Sequence, residues 1–267
     1  MKKPAVPLEQ IEAEVRACRR CPLADGRTQV VFGDGNAHAR VLIVGEAPGR
    51  NEDLQGVPFV GAAGKYLNEL LGIAGLARED VFIANVLKCR PPSNRDPRPE
   101  EIEQCTPFLR EQTRSIDPDY IVTLGNFATK FILKTDVGIT RLHGKLQQAG
   151  RFKVFPIFHP AAAIYDRTKR VALEDDFATF GALLREDERE RSEGGAGAPR
   201  ASGGALEGVL GGAPDGASSE VPGVAPDGAS SDAPGVAPNG ASSEVPGVAP
   251  DGASSEAPGV APNGVQA

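Results

Sequence analysis

The chain of 267 residues carries 36 acidic against 29 basic side chains, a net charge of −7, with four cysteines and no tryptophan. Residues 201–267 hold eight acids and no lysine or arginine, so the acidity belongs to that end and the first 200 residues sit near +1, which leaves room for a local basic patch and a nucleic-acid partner. No stretch approaches the roughly 20 apolar residues that span a bilayer, and Met1-Lys2-Lys3 is followed by prolines and acids, so a cytoplasmic protein without membrane contact is expected.

In chain order, short β-branched runs alternate with amphipathic segments, the pattern of a parallel sheet covered by helices on both faces. The fold class expected is three-layer α/β/α around a central four-stranded, mostly parallel sheet. An N-terminal helix runs into Cys18-x2-Cys21. Strands are expected at Val41 to Val44, Val81 to Asn85, Tyr120 to Leu124 and Lys153 to Phe158, with helices at Gly61 to Leu76, Pro99 to Ile116, Asn126 to Leu133 and Thr168 to Leu184. Pro99 suits a first helical turn, and Glu100, Glu101 and Glu103 behind it suit the positive end of the helix dipole.

From about residue 192 the composition changes. A 12-residue unit, PDGASSEVPGVA and its variants, recurs from Pro214, Pro226, Pro238 and Pro250. Its only apolar residues are Val and Ala, and its Pro and Gly interrupt helix and strand ladders, so burial does not offset ordering entropy. A folded domain over 1–191 and a disordered acidic tail over 192–267 are expected, in preference to a stacked solenoid.

Two polar loops follow expected strands: Gly45-Glu46-Ala47-Pro48-Gly49 with Arg50-Asn51-Glu52-Asp53, and His159-Pro160-Ala161-Ala162. In open parallel sheets ligands bind beyond the carboxyl ends of the strands, and Asn85 also falls there. The Asn85 amide offers one acceptor and two donors, a pattern that can read a complementary hydrogen-bonding edge. His159, fixed by Pro160, is a candidate hydrogen-bond donor. Ala163 and Ile164 are a candidate apolar wedge, and Arg167, Lys169 and Arg170, with Arg90 and Arg95, are candidate phosphate contacts. In a reducing compartment four cysteines are ligands or free thiols rather than a disulfide framework. Cys18 and Cys21, flanked by Arg16, Arg19 and Arg20, do not suit burial as plain hydrophobes. With Cys89 and Cys105 they leave tetrahedral zinc and a four-iron cluster both open.

The blocks GEAPGRNED, PFVGAAG, IANVLKCRPPSNRDP and HPAAA, together with the four cysteines, resemble the family 4, iron-sulfur uracil-DNA glycosylases over roughly residues 10 to 188. That resemblance implies a monomeric, monofunctional enzyme that flips deoxyuridine out of DNA and hydrolyses its glycosidic bond, starting base excision repair. It implies a [4Fe-4S] cluster on Cys18, Cys21, Cys89 and Cys105, Phe59 as the ring that stacks on uracil, and Gly45 and Ala47 beside the base. Ala47 stands where better-known members of the superfamily carry a water-positioning aspartate. Glu46 then becomes the candidate for that task and Glu52 a candidate for shaping the pocket against the thymine methyl. No histidine lies between Cys89 and Arg95, so turnover rather than covalent trapping is implied. A non-catalytic iron-sulfur DNA-binding or polymerase-associated module of the same fold is the alternative.

Overall fold

Each of the four expected strands is followed in the chain by a helix long enough to return it parallel to the next, and that arithmetic fixes the architecture. The computed structural model describes residues 5–164 and 166–193; from residue 194 on the expected tail lies outside the described residues. The elements are α1 (Leu8–Ala17), α2 (Leu23–Gly26), β1 (Asp34–Gly35), β2 (Val41–Gly45), α3 (Arg50–Gln55), α4 (Ala62–Ala74), β3 (Val81–Asn85), α5 (Pro99–Ile116), β4 (Tyr120–Leu124), α6 (Gly125–Leu133), α7 (Ile139–Leu142), β5 (Gln147–Ala149), β6 (Phe152–Ile157) and α8 (Arg167–Glu193). Single 3-10 turns cover Arg78–Asp80, Pro92–Asn94 and Pro160–Ala163.

The sheet has the order β1-β3-β2-β4-β6-β5. Its central strands β3, β2, β4 and β6 are parallel, as expected. The edges add two antiparallel strands, β1 on β3 and β5 on β6. Asp34–Gly35 and Gln147–Ala149 are too short and too polar to show a strand period, which is why they were not expected.

Alternation along the central strands divides the core in two. Leu42, Val44, Phe82, Ala84, Ile121 and Val154 face one layer of helices, where Val15, Phe108, Leu109, Ala128 and Ile132 come from α1, α5 and α6. Val41, Ile43, Val81, Ile83, Val122 and Phe155 face the other, where α4 and α8 supply Leu67, Leu70, Leu71, Leu173, Phe177 and Phe180. Because strands buried on both faces read as continuous apolar runs, these four were legible without any polar alternation.

Helix α8 runs to Glu193, nine residues past the expected end at Leu184. Apolar periodicity stops at Leu184, and charge fixes the remaining turns. Asp187 pairs with Arg40 at 2.5 Å, Lys153 at 2.6 Å and Arg191 at 3.0 Å, tying the helix to the starts of β2 and β6. The strand order reverses at β2, where the next two strands of the chain, β3 and β4, lie on opposite sides of it, and such a reversal opens a crevice at the carboxyl ends.

Candidate active site

Gly45 ends β2 and is the register partner of Asn85, which ends β3. Pairing continues beyond the strands, with Val86 N–H donating to the Gly45 carbonyl at 2.9 Å and Leu87 N–H to that of Glu46 at 3.0 Å. The first motif and Asn85 are thereby held side by side. Position 45 needs glycine: a Cβ there would collide with Asn85 Oδ1 and lie 2.9 Å from the Phe59 ring.

These residues open onto a cavity of about 390 Å³ lined by Glu46, Ala47, Glu52, Phe59, Asn85 and His159 among others. The structure therefore gathers the catalytic and base-contact candidates of the sequence into one place. Asn85 is 2% exposed, and its Oδ1 is buried with no hydrogen-bond partner. An unpaired buried acceptor costs about 1–3 kcal/mol, so this one marks a position suited to an incoming donor. Phe59 is buried, with its ring 5.7 Å from that of His159 and tilted by 31° to it.

His159 follows β6 and caps the turn Pro160–Ala163, its Nδ1 accepting the Ala161 N–H at 3.1 Å. An accepting ring nitrogen carries no proton, so the neutral imidazole bears its hydrogen on Nε2. The ring keeps only a partly exposed edge, and burial pushes its pKa down to about 4 against the opposing pull of Glu52. At neutral pH it is an uncharged Nε2–H donor.

The two carboxylates differ. Burial first, and then the charge of Asp96, raise the pKa of Glu46 above the ordinary value. Glu46 lines the cavity and also a second one of about 610 Å³ between Asp96, Phe127 and Lys130. Glu52 spends Oε1 on the backbone, accepting the N–H groups of Val60 at 3.0 Å and Gly61 at 3.1 Å, at the start of α4. The loop reading of Arg50 to Asp53 was incomplete, because these residues form α3, with buried Asp53 accepting the Thr28 N–H at 3.0 Å.

The wedge and phosphate candidates are dispersed. Ile164 is exposed, whereas Ala163 is buried in the core with Leu173 and so does not suit a wedge. Arg167 is exposed at the start of α8. Lys169 Nζ lies 4.0 Å above the Phe158 ring. Arg170 is engaged by Glu174 at 3.0 Å and Glu69 at 3.5 Å, and stacks over Tyr66. Arg95, held by Glu101 at 2.5 Å, lines the main cavity, and Arg90 bonds Asn94 at 2.7 Å.

All four cysteines are free and line one small cavity with Arg20, Arg27 and Lys88. Arg27 donates to Cys89 Sγ at 3.2 Å, and the Lys88 N–H to Cys105 Sγ at 3.2 Å. As a free thiol Cys105 is pushed up to about 12 by burial, and Cys21 and Cys89 are raised by the same cause. A positive centre is needed to hold such sulfurs as thiolates. Among the described residues no three His, Cys, Asp or Glu side chains converge on a single metal ion. Four thiols around one cavity are a ligand set open to tetrahedral zinc and to the corners of a four-iron cluster alike. Three cationic side chains around them suit the negative charge of a thiolate-ligated cluster.

Two residues escaped the sequence reading. Lys88, 1% exposed, donates from Nζ to the Asn85 carbonyl at 2.8 Å and so bridges the cysteine cavity to the pocket; its pKa is pushed down to about 8 by burial. A lysine inside the apolar run Asn85 to Cys89 was the available signal. Arg78 bonds the carbonyls of Pro58 and Phe59, and nothing in its local sequence announces it.

This sheet, with a cavity at the carboxyl ends of its strands and an asparagine, a phenylalanine and a neutral histidine around it, defines a class. The model of the uracil DNA glycosylase superfamily matches residues 32–185, and the chain belongs to that superfamily, among the type-4 enzymes. It is 49% identical over 184 residues to a type-4 uracil-DNA glycosylase of Archaeoglobus fulgidus, covering 66% of this chain and 92% of that one. Identity is 48% to the type-4 uracil-DNA glycosylase of Sulfurisphaera tokodaii, over 66% of this chain and 84% of the relative. For that of Thermotoga maritima the figures are 46%, 63% and 90%. No helix among the described residues is long and apolar enough to cross a membrane.

Proposed function

We propose that this chain removes uracil from DNA by hydrolysis, with Asn85 reading the base, Phe59 stacking on it, His159 stabilising it as it leaves and Glu46 holding the water. The observation that carries the site assignment is the buried, unpartnered Oδ1 of Asn85 at the cavity wall. That acceptor meets uracil N3–H, and the amide Nδ2–H meets O4; cytosine has an acceptor and a donor at those places and leaves two buried groups unpaired.

The target nucleotide leaves the stack to reach the cavity, with Ile164 filling the gap and Arg167 and Lys169 near the phosphates. As C1′–N1 breaks, its electron pair moves into the base, and the charge gathering on uracil O2 is met by His159 Nε2–H. Water held by Glu46 bonds to C1′, giving up one proton to the carboxylate, and an abasic site is left. Both motif glycines and Ala47 keep the wall thin beside the base. Action on uracil-containing DNA as a monomer in the cytoplasm belongs to the same proposal. We assign the catalytic domain to residues 1–191, and the acidic tail over 192–267 is given no part in the chemistry.

Cys18, Cys21, Cys89 and Cys105 would hold a [4Fe-4S] cluster. When bound it supplies a cross-link between the end of α1, the segment after β3 and α5, and no step of the hydrolysis passes through it.

The direct test is cleavage of a uracil-containing fluorescent oligonucleotide, with alkali to reveal abasic sites, by the wild type and Asn85→Ala. Wild-type turnover with a loss of about 10- to 100-fold in the variant is expected; equal rates would remove Asn85 from the site. The water assignment has its own signature. Glu46 works as the carboxylate, so kcat/KM declines as pH falls through its pKa, and burial with Asp96 shifts that decline above the ordinary carboxylate range. Glu46→Gln is expected to be slow and to lack this acid limb, and persistence of the limb would reassign it to another group.

A further inference from the structure

We propose that Arg78 is a positioning residue for the uracil-stacking ring: it holds the backbone of Phe59 in a left-handed conformation that aims the ring into the pocket beside His159. The inference rests on reading the cavity as a uracil pocket.

Phe59 has φ 52°, a conformation that bulky side chains avoid because Cβ crowds the adjoining carbonyl. Such a residue persists only where its surroundings over-determine it, and here they do so from three sides. Arg78 Nη2 donates to the Pro58 carbonyl at 2.6 Å and Nη1 to that of Phe59 at 3.4 Å, satisfying the peptide oxygens just before and at the strained residue. The guanidinium is itself fixed, by Asp34 of β1 at 3.3 Å and Asn68 of α4 at 3.4 Å. On the far side Glu52 Oε1 takes the N–H groups of Val60 and Gly61. Below lies Gly64, where a Cβ would overlap the Phe59 carbonyl.

The peptides on both sides of Phe59 are thus gripped by opposite charges, carbonyls by Arg78 and amides by Glu52. Without the guanidinium the two carbonyls turn toward water and Phe59 relaxes toward the extended region, which swings the ring away from His159 and from the Gly45 wall. Planar bidentate donation to two successive carbonyls is a task a lysine ammonium performs only in part.

The test is a double-mutant cycle in the full chain with Arg78→Met and Phe59→Ala, read as kcat and KM on uracil DNA and as inhibition by free uracil. Alone, Arg78→Met is expected to weaken free-uracil inhibition and raise KM by about 10-fold, the scale of losing a charged hydrogen bond, with a smaller fall in kcat. In the Phe59→Ala background it adds less than about 2-fold, because the ring it positions is gone. Arg78→Lys recovers part of the loss. An undiminished effect in the Phe59→Ala background, or unchanged uracil inhibition in Arg78→Met, overturns the proposal. Should Arg78→Met not fold, Asp34→Asn loosens the guanidinium from its exposed side and runs the same cycle. A wild type that does not cleave uracil DNA defeats the functional reading instead, which keeps the two failures apart.

Discussion

His159→Ala is expected to lower kcat for uracil excision by about 10²–10³-fold, the scale of losing one preorganised donor at a developing oxyanion, with KM changed far less. The direction follows from where charge appears. Uracil O2 carries little charge in the bound nucleotide and much more as C1′–N1 breaks, so a donor aimed at it favours the transition state over the ground state. The Ala161 N–H occupies Nδ1 and leaves Nε2 as the donor, so the ring needs no rearrangement when the charge arrives. Burial holds the pKa at about 4, and a donor already neutral has no proton to lose across the neutral range. Single-turnover rates should therefore show no inflection near ~6.5, the ordinary histidine value. An inflection there that disappears in His159→Ala would mean that the imidazolium is the working form. A fall of less than about 10-fold would move the electrostatic task to backbone donors or to Asn85.

Much of this site was legible because chemistry and topology coincide. Continuous apolar runs ended at Gly45, Asn85 and Phe158, and the rule that ligands gather at strand carboxyl ends put the two motifs and Asn85 together before any contact was known. What the sequence withheld depends on long-range contacts. The left-handed backbone of Phe59 comes from Arg78, 19 residues away, and from Gly64 beneath it. The pairing of Arg170 was equally hidden, because a basic run looks the same whether it faces DNA or the protein's own surface acids, and Glu69 lies 101 positions away in sequence. The edge strands β1 and β5 are held by backbone pairing with β3 and β6 rather than by a side-chain pattern of their own. Glu52 illustrates a finer limit: its position in the motif marked it as functional, but only the structure gives one oxygen to the amides of Val60 and Gly61.

Loss of one buried cysteine should have the largest effect on stability. With the proposed cluster bound, Cys105→Ala is expected to abolish its visible absorbance and to cost at least about 3 kcal/mol, since the binding energy of a structural metal centre is folding energy. For a domain of this size that lowers Tm by roughly 6–12 °C. Helix α1 contributes only Leu8, Ile11 and Val15 to the buried core, so the proposed ligation of a cluster by Cys18 and Cys21 would add to its attachment. The same change should reach the active site. Cys105 accepts the Lys88 N–H, Cys89 is next in the chain, and Lys88 Nζ bonds the Asn85 carbonyl. Freeing Cys89 from the cluster releases Lys88, an ammonium buried among sulfurs, and with it the support of the base-reading amide. Activity measured well below the new melting temperature is therefore expected to fall with a raised KM, as base reading is lost before the chemistry. Cys18→Ala, at a half-exposed ligand farther from Asn85, should bleach the protein while costing less activity. A colourless Cys105→Ala protein with wild-type Tm and KM would show that the cluster neither holds α1 to the domain nor supports the pocket.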